Sequence, residues 1–214
     1  MKIENTEVWG FKGAIRGARN PMNSWDRMDS TFDNEIVIGP NDLKLCQSLV
    51  KAGTEHAKFM RMIHVQADLT LPRFIWSEFD TYKFVEKNSQ STIHKLLNTF
   101  NEITLDMFET DYTWNEFYLK RAAIDELEKL RKQYAEVKAS KDVENKQEIL
   151  NELLFRAKMI LPESFLQLRT IDTNYAELRN IYFQRKNHKM PQWHTICDWI
   201  KSLPYGEELI TLGE

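Results

Sequence analysis

A chain of 214 residues, 42% hydrophobic and 29% charged, has room for one large domain or two small ones and reads as an ordinary globular sequence. A formal charge of −3 gives no bulk attraction to nucleic acid or an anionic membrane, and neither is an expected partner. No apolar run approaches the roughly 18 residues of a membrane span, and the opening MKIENTEVWGF lacks a secretory signal, so a cytoplasmic location is expected.

Cys46 and Cys197 stand too far apart for a cysteine zinc site and fit a reducing compartment. Seven glycines argue for long helices and few tight turns. Residues 1–38 read as strands: Val8, Gly10 and Lys12 alternate with Trp9, Phe11 and Gly13, Asn20-Pro21 breaks the run, and Glu35–Ile38 is a second short strand. A helix is predicted from Asn41 to about Ala57, with Leu43, Leu45, Leu49 and Val50 inward. Lys58–Asp68 alternates and reads as a strand covered on both faces, with His64 on one of them.

The stretch Pro72–Lys95 gathers aromatics, carboxylates, lysines, a histidine and hydroxyls with no glycine. Phe74-Ile75-Trp76 precede a polar run, Ser77–Lys83, that reads as a short helix or tight turn. Asn88–Thr92 then offers a dense set of donors and acceptors, a mixture suited to a flat polar ligand. A plain crossover between strand and helix has the same composition.

Helices are predicted over His94–Phe108 (Leu96, Leu97, Phe100, Ile103 and Leu105 apolar), Trp114–Ala139 (Phe117, Ile124, Leu127, Leu130), Val143–Leu161, Thr173–Asn187 and from Pro191 onward. Asp125–Lys129 and Glu128–Lys132 are favourable i,i+4 pairs on a solvated face. Asn174 followed by Glu177 fits a capping box, and Asn174 and Arg185, three turns apart, share a helix face. The apolar stripes continue throughout, so one domain over 1–214 is expected, of the α+β class: a small twisted sheet packed by long helices.

Glycine-rich phosphate loops, HExxH and GxSxG are absent, and five histidines scatter without metal-ligand spacing, so no metal site is expected. What the chain does carry is an ordered set. Glu55-His56 precedes the Lys58–Asp68 strand. Glu78 lies three residues before Thr81-Tyr82-Lys83, which FVEKNSQ separates from Ser91. Lys158-Met159-Ile160-Leu161-Pro162 follows, then Asn174, Asn180, Arg185 and Gln192-Trp193.

This order resembles that of the flavin-dependent thymidylate synthases. The resemblance covers roughly residues 50–200. It implies FAD bound at subunit interfaces of a homotetramer, and methylation of dUMP with carbon from methylenetetrahydrofolate and reducing equivalents from NADPH. It implies His56, Tyr82, Lys83, Asn174 and Asn180 on FAD, and Glu78, Ser91, Lys158 and Arg185 on the pyrimidine nucleotide. Arg185 is the implied catalytic residue, orienting the uracil and stabilising charge that develops on it.

Departures accompany the match. The family's Arg-His-Arg stands here as Thr81-Tyr82-Lys83, in which lysine keeps one charge without arginine's planar fork and threonine keeps none. Ile93 takes the place of the arginine that meets the dUMP phosphate, Lys158 that of the arginine before Leu-Pro, and Glu78 that of a glutamine. Two alternatives follow: a homologue that binds nucleotide or a protein partner without catalysis, and an enzyme on another pyrimidine, with Glu78 accepting from a ring amine.

Overall fold

The computed structural model describes residues 1–33, 35–97, 101–109 and 114–213, with the backbone alone at 93, 94 and 114–117. Its four strands are β1 (Lys2–Trp9), β2 (His64–Pro72), β3 (Glu86–Ser89) and β4 (Leu166–Asn174). They form one antiparallel sheet in the order β1-β2-β4-β3. The helices are α1 (Phe11–Arg19), α2 (Pro40–Lys51), α3 (Arg73–Phe79), α4 (Thr92–Leu96), α5 (Trp114–Ala139), α6 (Lys146–Ile160), α7 (Tyr175–Arg185) and α8 (Pro191–Ser202). The α+β class expected from the sequence is the class observed.

The chain packs as two compact units. The first comprises Met1, 70–78 and 89–169; the second comprises 2–69, 79–88 and 170–214. In the first, α5 and α6 pair, and Leu127, Leu130, Leu153 and Ala157 close on Ile103, Phe108 and Phe165. Glu128 is buried at this seam. Its carboxylate accepts Arg131 Nη2 at 2.6 Å and Nε at 2.7 Å, and the backbone N–H of Ile103 at 3.0 Å. The Arg131 bonds lead in holding its pKa down, to about 2. Lys132 lies 3.7 Å from Glu128, the expected pair, whereas Asp125 pairs with Arg121 and Lys129 with Glu126. So one carboxylate of a face read as solvated instead fastens the 101–109 loop to α5.

In the second unit, Phe11, Ala14 and Ile15 are buried at helical spacing. Gly10 makes the turn from β1 into α1 at φ 97°, and a Cβ there would collide with the Met62 carbonyl oxygen. The alternation read through Trp9 therefore stops at Gly10, and 11–19 is a helix rather than a strand. Glu35–Ile38 forms only a bridge, Thr31 to Val37. Helix α2 stops at Lys51, and Gly53 turns the chain at φ 108°. Residues Ala57–Met62 form a 3-10 turn instead of opening a strand.

Strand β2 buries Val65, Ala67, Leu69 and Leu71, while His64, Gln66, Asp68 and Thr70 are half-exposed, so only one face is fully covered. The half-exposed face is paired laterally instead. Gln66 donates to Asp172 at 2.9 Å, Thr170 to Asp68 at 2.6 Å, and Trp9 stacks on His64 with centroids 5.6 Å apart. The helix expected over His94–Phe108 is short: α4 ends at Leu96, and a 3-10 turn covers Leu105–Met107. Phe100 and the Phe117 side chain lie outside the described residues.

Strand β4 has no counterpart in the sequence reading. Its Ile171 and Thr173 alternate with exposed Thr170 and half-exposed Asp172 and Asn174, a period of two over too few residues to stand out.

Candidate functional site

Strand β4 runs directly into α7, and Asn174 makes the junction. Its Oδ1 accepts the Glu177 backbone N–H at 3.0 Å, satisfying one of the otherwise unpaired donors of the helix's first turn. The capping reading of this asparagine is thus borne out.

Beside that first turn the second unit holds a cavity of about 580 Å³. Val50, Ala57, Met60 and Phe84 give it apolar walls, and Asn174 and Asn180 give it amides. A smaller recess of about 260 Å³ shares Phe84, Glu177 and Asn180 with it and adds Thr81, Tyr82, Lys83 and Gln184. Of the predicted cofactor residues, Tyr82, Lys83, Asn174 and Asn180 therefore line two adjoining concavities. His56 does not line either; it is exposed, and its backbone N–H bonds to Gly53.

Arg185 closes the last turn of α7 on the same unit. Its Nε donates to the Tyr82 hydroxyl at 2.7 Å, and that hydroxyl donates to Gln184 Oε1 at 3.2 Å. Gln184 in turn donates to Asn180 Oδ1 at 2.7 Å. The guanidinium carbon sits 4.5 Å from the Trp193 ring centroid and 5.6 Å from that of Tyr82. Trp193 is fully buried and stacks on Phe79, centroids 5.7 Å apart. Arg185 is thus a planar cation laid on a fixed aromatic platform, with the Tyr82 hydroxyl helping to orient it.

In the first unit, Lys158 stands exposed near the end of α6. It lines a recess of about 290 Å³ together with Arg73, Thr92, Leu161, Gln167 and Arg169. Ser91 is exposed just before α4, and its carbonyl accepts the Lys95 N–H at 3.1 Å. Glu78 is half-buried on α3.

No family model matches this sequence, and no curated protein matches it. Solved structures do. A flavin-dependent thymidylate synthase ThyX from Helicobacter pylori, complexed with FAD and dUMP, matches with a TM-score of 0.70 at 18% identity, over 100% of this chain and 98% of that one. A second structure of that organism's ThyX, also with FAD and dUMP, matches with a TM-score of 0.71 at 16% identity over the whole of both chains. The chain has the fold of a flavin-dependent thymidylate synthase.

Within that fold, several site-lining residues escape the sequence reading. Phe84 adjoins Lys83, and Glu177 and Gln184 lie three residues before and four after Asn180, so helical spacing alone places both beside that asparagine. Arg73 and Arg169 escape for a different reason. Nothing local links them to Lys158, and Arg169 belongs to β4, the strand without a sequence signal.

The residues present fit a flavin. Apolar walls and the exposed Phe84 ring suit a flat heterocycle, the amides of Asn174 and Asn180 suit its polar edge, and Lys83 and Arg61 suit its phosphates. Cys46 is buried, and that burial leads in pushing its thiol up to about 12, which disfavours the thiolate form. Among the described residues no cluster of histidine, cysteine and carboxylate side chains could hold a metal ion, and no helix is long and apolar enough to cross a membrane.

Proposed function

We propose that this chain binds FAD and a pyrimidine nucleotide, dUMP or a close analogue, and methylates the nucleotide using methylenetetrahydrofolate and NADPH. The observation that carries the reading is the cavity beside α7. In a chain whose fold matches FAD- and dUMP-bound proteins over its full length, that cavity offers amides and an aromatic ring, the group types that suit a flavin's polar edge and flat face. Assembly as a homotetramer belongs to the same proposal.

Bound flavin would supply the hydride chemistry. The chain's own residues would then bind and orient. Phe84 would cover one face of the ring system, and Asn174, Asn180, Tyr82, Lys83 and His56 would hold the cofactor. Arg185, fixed on Trp193, would donate to the pyrimidine ring and stabilise negative charge developing there. Ser91 and Lys158 would hold the nucleotide, and Glu78 would face its ring edge.

A second reading, binding without catalysis, is supported by Tyr82. Its hydroxyl bonds Arg185 from a position where the family carries histidine, and Thr81 beside it brings no charge.

The test is a visible absorption spectrum after incubation with FAD and removal of excess, followed by an assay of dUMP-dependent NADPH oxidation. Retained flavin with turnover supports the enzyme, and retained flavin without turnover supports the second reading. A folded, colourless protein overturns both flavin readings.

A further inference from the structure

Among the described residues that line the two adjoining concavities of the second unit, Glu177 alone is acidic, and it lines both. It is 8% exposed, so more than nine-tenths of it is removed from solvent. Its backbone N–H is taken by the Asn174 cap, but its carboxylate makes neither a hydrogen bond nor an ion pair among the described residues. A buried carboxylate without a donor has lost its hydration and gained no replacement, whereas buried polar groups are otherwise nearly always bonded.

The surroundings explain why the chain itself leaves this carboxylate unbonded. Arg61, Arg179 and Lys83 line the same concavities, and none of the three pairs with it. Arg61 and Lys83 are exposed. Arg179 is engaged by the C-terminal segment: its Nη1 donates to the Ile210 carbonyl at 2.6 Å and to the Leu212 carbonyl at 2.9 Å, and its guanidinium carbon lies 4.5 Å from the Phe183 ring centroid. Glu177 stands in the first turn of α7. The positive end of a helix favours an ionised carboxylate there, but it supplies only a partial charge and no donor for the outward lone pairs. A ligand group that brings its own N–H fits this place, and a second anion does not.

An oxidised flavin ring is neutral and carries a ring N–H. Two electrons and one proton, the content of a hydride from NADPH, turn it into an anion and leave NADP⁺, and charge near the ring tunes that exchange.

We infer that Glu177 is a specificity-determining residue of the flavin cavity: it accepts the ring N–H of the oxidised cofactor and, as a fixed negative charge, weights binding toward the oxidised form over the reduced one. The inference rests on the flavin reading above and adds to it a residue and a direction. Its consequence is a bound flavin that is harder to reduce and, once reduced, a stronger hydride donor.

The N–H chemistry has two sources within FAD, the flavin ring and the adenine amine, and FMN carries only the first. The experiment uses the full chain as wild type and as Glu177→Gln, which keeps the side chain's size and removes its charge, with circular dichroism as the check on folding. Affinities for oxidised FAD and oxidised FMN are measured by calorimetric titration, and the midpoint potential of bound FAD by spectroelectrochemical titration.

In Glu177→Gln the ratio of affinities for oxidised over reduced FAD is expected to fall about tenfold, which raises the midpoint by about 30 mV for a two-electron couple. Oxidised FAD and FMN should weaken alike. A midpoint that is unchanged or lower in the variant overturns the inference and leaves the flavin reading standing. Weaker binding of FAD but not of FMN, with the midpoint unmoved, puts the donor on the adenine and also overturns it. A folded wild type that binds neither FAD nor FMN overturns the flavin reading itself.

Discussion

The side chain of Arg185 rests on the indole of Trp193 and gives its Nε–H to the hydroxyl of Tyr82 across 2.7 Å. This contact joins a residue of the Thr81-Tyr82-Lys83 segment to the last turn of α7, 103 positions further along the chain. Tyr82→Phe keeps the ring and removes the bond. Its expected cost is about 1 kcal/mol of stability, whereas Tyr82→Ala also empties the space beside Trp193 and costs about 3 kcal/mol or more. Urea unfolding of the two variants checks the difference, and equal losses would mean the hydroxyl carries the whole effect.

Phe84 is 71% exposed yet borders both concavities of the second unit. Its backbone is anchored by Thr173 Oγ1, which donates to the Phe84 carbonyl at 3.0 Å. Phe84→Ala is therefore expected to leave unfolding within about 0.5 kcal/mol of wild type. Retention of FAD should fall about tenfold, since a stacked aromatic contributes on the order of 1 kcal/mol beyond its area. The absorbance of flavin retained at a series of FAD concentrations measures this. Unchanged retention would place the flavin ring elsewhere.

Arg19 and Asp42 form a buried pair, with Nε donating to Oδ1 at 2.6 Å and relative exposures of 5% and 0% for the two side chains. Asp42 Oδ2 also accepts the Ser30 hydroxyl at 2.6 Å and the backbone N–H groups of Asp29 and Ser30, both at 3.0 Å. Burial pushes this carboxyl up, but the bonds from Ser30 and Arg19 outweigh it and hold it below the ordinary range. Asp42→Ala strands a buried guanidinium and should cost about 3–5 kcal/mol, against about 1 kcal/mol for Ser30→Ala. Thermal melts of the two variants give the comparison.

Glu128 links stability to acid pH. Its folded pKa is depressed to about 2, so its contribution is fully present above the ordinary value of 4.5 and is lost as pH falls from there toward 2. The magnitude is about 3 kcal/mol. Unfolding free energies between pH 6 and pH 2 should fall more steeply in wild type than in Glu128→Gln, which lacks the titrating carboxylate. Parallel curves would show that the Arg131 and Ile103 bonds do not survive in solution.

Helices α5 to α8 are legible in the sequence because their information is local. Leu127 and Leu130 repeat at helical spacing, Pro191 opens α8, and the Asn174 cap sits three residues before Glu177. Strand β4 and helix α1 are not legible. A strand is stabilised by its neighbours, and those of β4 lie far away: Asp172 meets Gln66 across 106 positions. Helix α1 follows a glycine whose left-handed turn is visible only once the Met62 carbonyl beside it is placed.

The candidate site divides the same way. Asn174, Asn180 and Arg185 belong to one helix and its cap, so their membership of a single element is already written in the local sequence. Local pattern suffices for that helix, its cap, the long helices α5 and α6 and the α+β class. That Tyr82 reaches Arg185, and that Arg73 and Arg169 join Lys158 around one recess, emerges from the three-dimensional packing alone. The reason is physical: helical periodicity is written within a few residues, whereas side chains meet across long separations only after apolar burial has brought distant segments together.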